Sequence, residues 1–157
     1  MEIEKKYLVM EVPRDIDQYP HEEIEQAYLC THPTLRVRRK GHKYIFTYKS
    51  KVSGSSDKLN VADEIEAELD YDAYEHLFNK ADGNPVRKTR YRIPYAGKII
   101  ELDIFHGKHK GLVMAEVEFD SVEEGESFIP PNWFGEDVSG DIRYTNSYLA
   151  MHDDIPK

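Results

Sequence analysis

Glu64-Ile65-Glu66-Ala67-Glu68-Leu69 sets an acid at every second position and an apolar or small residue between. Successive strand side chains point to opposite faces, so the three glutamates share one face and the other three residues the opposite one. The same beat recurs along the chain with changing sign. Glu2, Glu4 and Lys6 share a face, as do Arg36 and Arg38; Lys88, Arg90 and Arg92; Glu101 and Asp103; Glu116 and Glu118. Lys49 ends a further strand, with Ile45 and Thr47 on its face. The alternate positions are mostly apolar: Ile3, Val37, Ile65, Tyr91, Ile93, Leu102, Ile104, Val117 and Phe119.

A one-sided antiparallel sheet with its polar face in water gives a similar alternation. A solvated face, however, intersperses Lys with Glu and uses Ser, Thr, Asn and Gln. Here the signs are sorted strand by strand. Like charges at i and i+2 repel, so each strand needs compensation from a neighbouring strand, a ligand or a metal. A closed barrel whose polar face looks into a lumen supplies all three. The arginines and lysines would converge there on a polyanion, since Arg grips phosphate bidentately and Lys as a point charge. Clustered carboxylates suit a hard divalent cation, Mg²⁺ or Mn²⁺, that bridges them to phosphate oxygens. Both signs in one cavity therefore point to a metal–polyphosphate site.

The rest of the chain fits one domain over residues 1–157, of α+β class, with about eight strands and three helices. Lys40-Gly41-His42-Lys43 and Ala96-Gly97 read as hairpin turns, and Ser53-Gly54-Ser55-Ser56-Asp57 as a loop. Tyr74, Leu77, Phe78 and Ala81 lie at helical spacing and predict a helix over residues 72–81, with Gly83 just past its end. Further helices are expected over residues 15–26 and 145–151, and a short one after Ser121. No repeat or linker divides the chain.

Composition narrows the function classes. Thirty acids against 21 Lys and Arg give a net charge of −9, which argues against an extended nucleic-acid partner. No apolar run is long enough for a membrane helix, and MEIEKKYLVM does not read as a signal peptide. The single Cys30 forms no internal disulfide, so a cytoplasmic protein is the expectation, as monomer or homodimer. His106 and His109 do not make a convincing zinc pair, and neither GxxxxGK[ST] nor GxGxxG is present. Trp133 beside Pro130-Pro131 reads as a hydrophobic anchor.

These blocks resemble a known family. Glu2-Ile3-Glu4-Lys5-Lys6 resembles the ExExK signature of the CYTH superfamily, the triphosphate tunnel metalloenzymes. The likeness continues in order through Ala27-Tyr28-Leu29, Arg36-Val37-Arg38, Phe46-Thr47-Tyr48-Lys49 and Glu64-Ile65-Glu66. It runs on through Lys88-Thr89-Arg90-Tyr91, Glu101-Leu102-Asp103, Ala115-Glu116-Val117-Glu118 and Arg143-Tyr144-x-Asn146. Where the family often has Lys-Gly, this chain reads Lys49-Ser50-Lys51.

The resemblance implies an eight-stranded antiparallel closed β-barrel, a tunnel with a charged interior and helices packed outside. It implies Mg²⁺ or Mn²⁺ on Glu2, Glu4, Glu116 and Glu118, with Asp103 and Glu101 as ligands or their supports, and Glu64 and Glu66 either binding a second metal or orienting the basic residues. Lys6, Arg36, Arg38, Lys49, Lys88, Arg90 and Arg143 would hold phosphates. Lys6, Glu4 and Tyr28 are the catalytic candidates, a carboxylate or Tyr28 orienting the attacking water. The expected activity is metal-dependent hydrolysis of a small triphosphate, inorganic tripolyphosphate first. A class IV adenylate cyclase, a thiamine triphosphatase and a non-catalytic binder of polyphosphate or nucleotide are the alternatives.

Overall fold

The computed structural model describes residues 1–51 and 59–156, so the expected loop at residues 53–57 lies outside the described residues. Nine strands form one antiparallel sheet: β1 (Glu2–Val9), β2 (His21–Thr31), β3 (Thr34–Lys40), β4 (Lys43–Lys51), β5 (Asn60–Leu69), β6 (Asp82–Tyr95), β7 (Lys98–His106), β8 (Val113–Phe119) and β9 (Phe134–Asp137). Eight of them close a barrel in the order β1-β5-β4-β3-β2-β6-β7-β8, with β8 back on β1. The seam between β1 and β5 is only three residues long, Glu2 to Glu4 against Ala62 to Asn60. Beyond it, β9 takes over the vacated edge of β1, opposite Tyr7 and Val9.

Alternation puts the charges inside and the apolar side chains outside. The outer faces of β1, β6, β7 and β8 build the largest core, around Ile3, Tyr7, Ile93, Ile100, Leu102, Val117 and Phe119. The short helix α2 (Val122–Glu126) and Phe128, Trp133 and Phe134 cover it, and Phe128 stacks with Tyr7, Tyr95 and Phe119. Helix α1 (Tyr71–Phe78), capped by the Asp70 carboxylate, lies over Ala27 and Val37 of β2 and β3. Both helices follow the sequence reading.

The third helix, α3 (Asn146–Ala150), occupies a different place. Its Leu149 and Ala150 pack on Tyr28, Val86, Phe105 and Met114. Those four side chains share the inward faces of Tyr28's, Lys88's, Asp103's and Glu116's strands, so α3 plugs one end of the barrel. Gly83 sits so close beneath the Ala150 carbonyl that a Cβ there would collide with it. His109, fully buried, holds the end of α3 through Nε2, 2.7 Å from the Leu149 carbonyl oxygen. Among the described residues the tunnel is thus a cup, plugged at the α3 end and with a mouth at the Glu2 end.

Two differences from expectation have clear causes. Residues 15–26 are not a helix: only Ile16–Gln18 form a single 3₁₀ turn, and β2 starts at His21. Glu22, Glu23, Glu25 and Gln26 are good helix formers, but pairing with both β3 and β6 overrides that weak preference. The ninth strand, β9, is a four-residue edge that carries no periodic signal of its own.

Candidate active site

The lumen holds a cavity of about 720 Å³. Around the ring its wall divides into two arcs. Lys49, Arg36, Arg38, Lys40, Arg90 and Arg92 make a basic arc on β4, β3 and β6, with Tyr28 of β2 between. Glu101, Glu116, Glu118, Glu2, Glu4, Glu64 and Glu66 make an acidic arc on β7, β8, β1 and β5. Sorting of sign by strand is therefore sorting by wall.

The acidic arc is partly answered from within. Lys49 Nζ stands among the acids, 2.5 Å from Glu2 Oε1 and 3.5 Å from Glu4 Oε1. Burial alone would lower the Lys49 ammonium, but Glu4, Glu2 and Glu116 outweigh it and hold it above its ordinary value. Lys6 Nζ lies 3.4 Å from Glu116 and donates to the Tyr144 carbonyl at 3.0 Å. Burial would raise Glu116 too, yet Lys6 and Arg90 keep its carboxyl well below the usual range. Glu4 has the opposite fate. Burial, then the neighbouring Glu116, push it up to about 7 against the pull of Lys49.

Arg90 is fixed rather than free. Its Nε and one terminal nitrogen each meet an Asp103 oxygen at 2.8 Å, and the other donates to Glu101 at 3.2 Å. Lys88, fully buried beneath it, lies 2.8 Å from Asp103 and 3.1 Å from Asn146 of α3, over the Phe105 ring. Burial lowers Lys88 to about 7. Lys88 and Asp103 are not on the cavity wall; they form its foundation, tying the plug to the barrel. Arg143 is also not in the lumen: it is exposed and clasped by Asp141 through several contacts of 2.5–3.2 Å.

Arg36 and Arg38 differ from Arg90. Among the described residues neither has a carboxylate partner. Arg36 is buried with its Nε lacking any acceptor, and its terminal nitrogen makes one long bond of 3.3 Å to Thr47. Arg38 donates from Nε to Gln26, and burial with Arg36 and Arg90 lowers it to about 9. Two unneutralised guanidiniums in a confined wall call for an anion.

The acids offer oxygen donors only, as a hard cation requires. Burial first and then Glu116 disfavour a free charge on Glu4, and Glu2 Oε1 is buried with no hydrogen-bond partner among the described residues, Lys49 Nζ lying 2.5 Å away. Among the described residues, no three His, Cys, Asp or Glu side chains already converge on a metal position. An ammonium, that of Lys49, stands between Glu2 and Glu4 instead, so the chemistry of this wall fits a cation. Glu118 and Glu66 lie exposed at the mouth, and Glu64 is partly buried beside Lys49's strand.

Sequence reading missed Gln26 and Lys40, and carried Asn146 in a motif without giving it a role. Gln26 lies in the stretch expected as a helix, Lys40 in one expected as a turn, and Asn146 lines the cavity from the plug. His106 Nε2 lies 2.7 Å from the Thr89 hydroxyl, and His109 Nε2 meets the Leu149 and His152 carbonyl oxygens at 2.7 and 3.0 Å.

A closed antiparallel barrel with a basic arc facing an acidic arc defines a polyanion-binding cup. The CYTH domain model matches residues 1–143, and this chain belongs to that family. It is 40% identical over 157 residues to an inorganic triphosphatase of Nitrosomonas europaea, covering 96% of this chain and 97% of that one. An inorganic triphosphatase of Acetivibrio thermocellus is 34% identical over 119 residues, or 76% of this chain and 72% of the relative. A crystal structure of an inorganic triphosphatase superposes with a TM-score of 0.71 at 36% identity, covering all of this chain and 97% of the other. Among the described residues, no helix is long and apolar enough to cross a membrane.

Proposed function

We propose that this chain hydrolyses inorganic tripolyphosphate to pyrophosphate and phosphate, using Mg²⁺ or Mn²⁺ held by Glu2, Glu4, Glu116 and Glu118. The supporting observation is the unneutralised pair Arg36 and Arg38 facing an acidic wall across one cavity. Two relatives that span most of this chain are named inorganic triphosphatases, in line with that reading.

Phosphoanhydride hydrolysis asks for positioning and charge neutralisation rather than covalent chemistry by the protein. Arg36 and Arg38 lie at i and i+2, roughly 7 Å apart along β3, a spacing that lets them hold different phosphates of one chain. Arg90, aimed rigidly by Asp103 and Glu101, adds a fixed cation from the opposite side of β2. Lys49 stands where the two arcs meet, Lys6 stands within the acidic arc beside Glu116, and Lys40 and Arg92 extend the basic arc. A metal on the acidic wall, when bound, neutralises phosphate charge and lowers the pKa of a water. Tyr28 lines the cavity, and its hydroxyl or a wall carboxylate would orient the attacking water. Water attacks a terminal phosphorus, the bridging P–O bond breaks, and pyrophosphate leaves.

Incubation with tripolyphosphate and Mg²⁺ or Mn²⁺ tests this. Equal amounts of phosphate and pyrophosphate, abolished by chelator and by Arg36→Ala, are expected. Absence of hydrolysis overturns the proposal, and cyclic AMP from ATP would move the assignment to a cyclase.

A further inference from the structure

Strand β2 runs between the two basic strands and puts one neutral side chain in their midst. Gln26 is fully buried and makes two hydrogen bonds. Arg38 Nε is 2.7 Å from its Oε1, and its Nε2 is 3.2 Å from Tyr28 Oη. An arginine Nε only donates, so the atom facing it is the amide oxygen. The amide nitrogen is then the donor to Tyr28, and the tyrosine's own hydroxyl hydrogen is free to point elsewhere. Tyr28 and Arg38 both line the cavity.

We infer that Gln26 is a positioning residue for the triphosphate: its amide aims Arg38 and Tyr28 into the cavity while leaving the Arg38 charge unspent. This rests on the triphosphatase reading of the lumen. The two arginines flanking β2 show the contrast. Arg90 takes its acceptors from Asp103 and Glu101 and is neutralised where it stands. Arg38 takes its acceptor from an amide, and its two terminal nitrogens have no partner among the described residues. A carboxylate at position 26 would orient Arg38 equally well but would cancel it. The neighbours leave the same conclusion: Arg36 and Arg90 repel Arg38, and the carboxylate that reaches toward it, Asp103, is already shared by Arg90 and Lys88. Gln26 also restrains both partners from within the sheet, which costs no ordering when a ligand arrives.

Two variants test the assignment with tripolyphosphate as substrate. Gln26→Glu keeps the shape and the acceptor for Arg38 but adds a charge and turns the donor to Tyr28 into an acceptor. Its KM is expected to rise about tenfold or more with no fall in melting temperature, and kcat to fall as well, because the carboxylate takes up the Tyr28 hydroxyl hydrogen. Gln26→Met keeps the volume and removes the acceptor, and its KM rises less, because Arg38 loses its aim but keeps its charge. A purely structural role predicts the reverse order, with the isosteric Glu variant nearly silent. Either folded variant with an unchanged KM, or a Met variant worse than the Glu variant, overturns the inference. A wild-type protein that does not hydrolyse tripolyphosphate overturns the reading of the lumen instead.

Discussion

Lys6 on β1 stands directly opposite Glu116 on β8, and its Nζ lies 3.4 Å from Glu116 Oε1. Both side chains are nearly buried, at 7% and 11% exposed. Because Lys6 also donates to the Tyr144 carbonyl, one ammonium joins the acidic wall to the segment that leads into the plug.

Lys6→Met should therefore destabilise the protein by about 3 kcal/mol, since it strands a buried carboxylate whose other near cation, Arg90, is 3.9 Å away. Lys6→Met with Glu116→Gln should recover much of that loss. Urea unfolding of both variants measures it. Equal instability of the single and double variants would refute the coupling.

Arg36→Lys keeps a charge at the unpartnered position but loses the planar fork. KM for tripolyphosphate should rise about tenfold while the melting temperature stays near wild type, because Arg36 makes no ion pair that folding depends on. Steady-state kinetics beside a thermal melt separates the two effects.

Glu4 gives a pH signature in metal-free protein. Its folded pKa of about 7 exceeds the ordinary 4.5, so the folded state takes up a proton in that window and the unfolded state does not. Stability should fall as pH rises from about 4.5 to about 7, by an amount on the order of 3 kcal/mol. Glu116, held low by Lys6 and Arg90 despite its burial, acts oppositely and only below the ordinary carboxylate value. Denaturant midpoints measured in chelator at several pH values should show a slope between pH 5 and 7 that Glu4→Gln flattens.

The β6–β7 turn offers a stabilising change. Ala96 and Gly97 both have positive φ, 49° and 77°, in a two-residue loop between Tyr95 and Lys98. Alanine is poorly suited to that left-handed position and asparagine well suited. Ala96→Asn should add about 0.5–1 kcal/mol, read as a rise in urea midpoint, with activity unchanged.

What the sequence made legible is the face on which each charge lies. Period two put Glu2, Arg36, Arg90 and Glu116 on the lumen side, and the structure has them there. Depth along the barrel was not legible, because it depends on register and on where α3 enters. So Lys88 and Asp103 shared the parity of Arg90 and Glu101 yet lie beneath the floor, and Arg143 followed a motif yet turns to Asp141. The first half of strand β2, up to Gln26, was lost to helix propensity because its inward residues there, Ile24 and Gln26, carry no charge to mark the alternation.

The three-residue seam of β1 with β5, and the longer pairing of β1 with β8, bear on how the chain folds. Glu4 and its partner Glu118 are separated by more than a hundred residues of chain. Pairing across such a distance closes a long loop and belongs to the slow, late part of folding. The join between the two halves of the acidic wall is therefore made late: until β8 docks on β1, the Glu2–Glu4 pair and the Glu116–Glu118 pair are unconnected. On the proposed function, a divalent cation bound across both pairs would act as a clasp on the finished barrel, slowing its opening far more than it would speed its assembly.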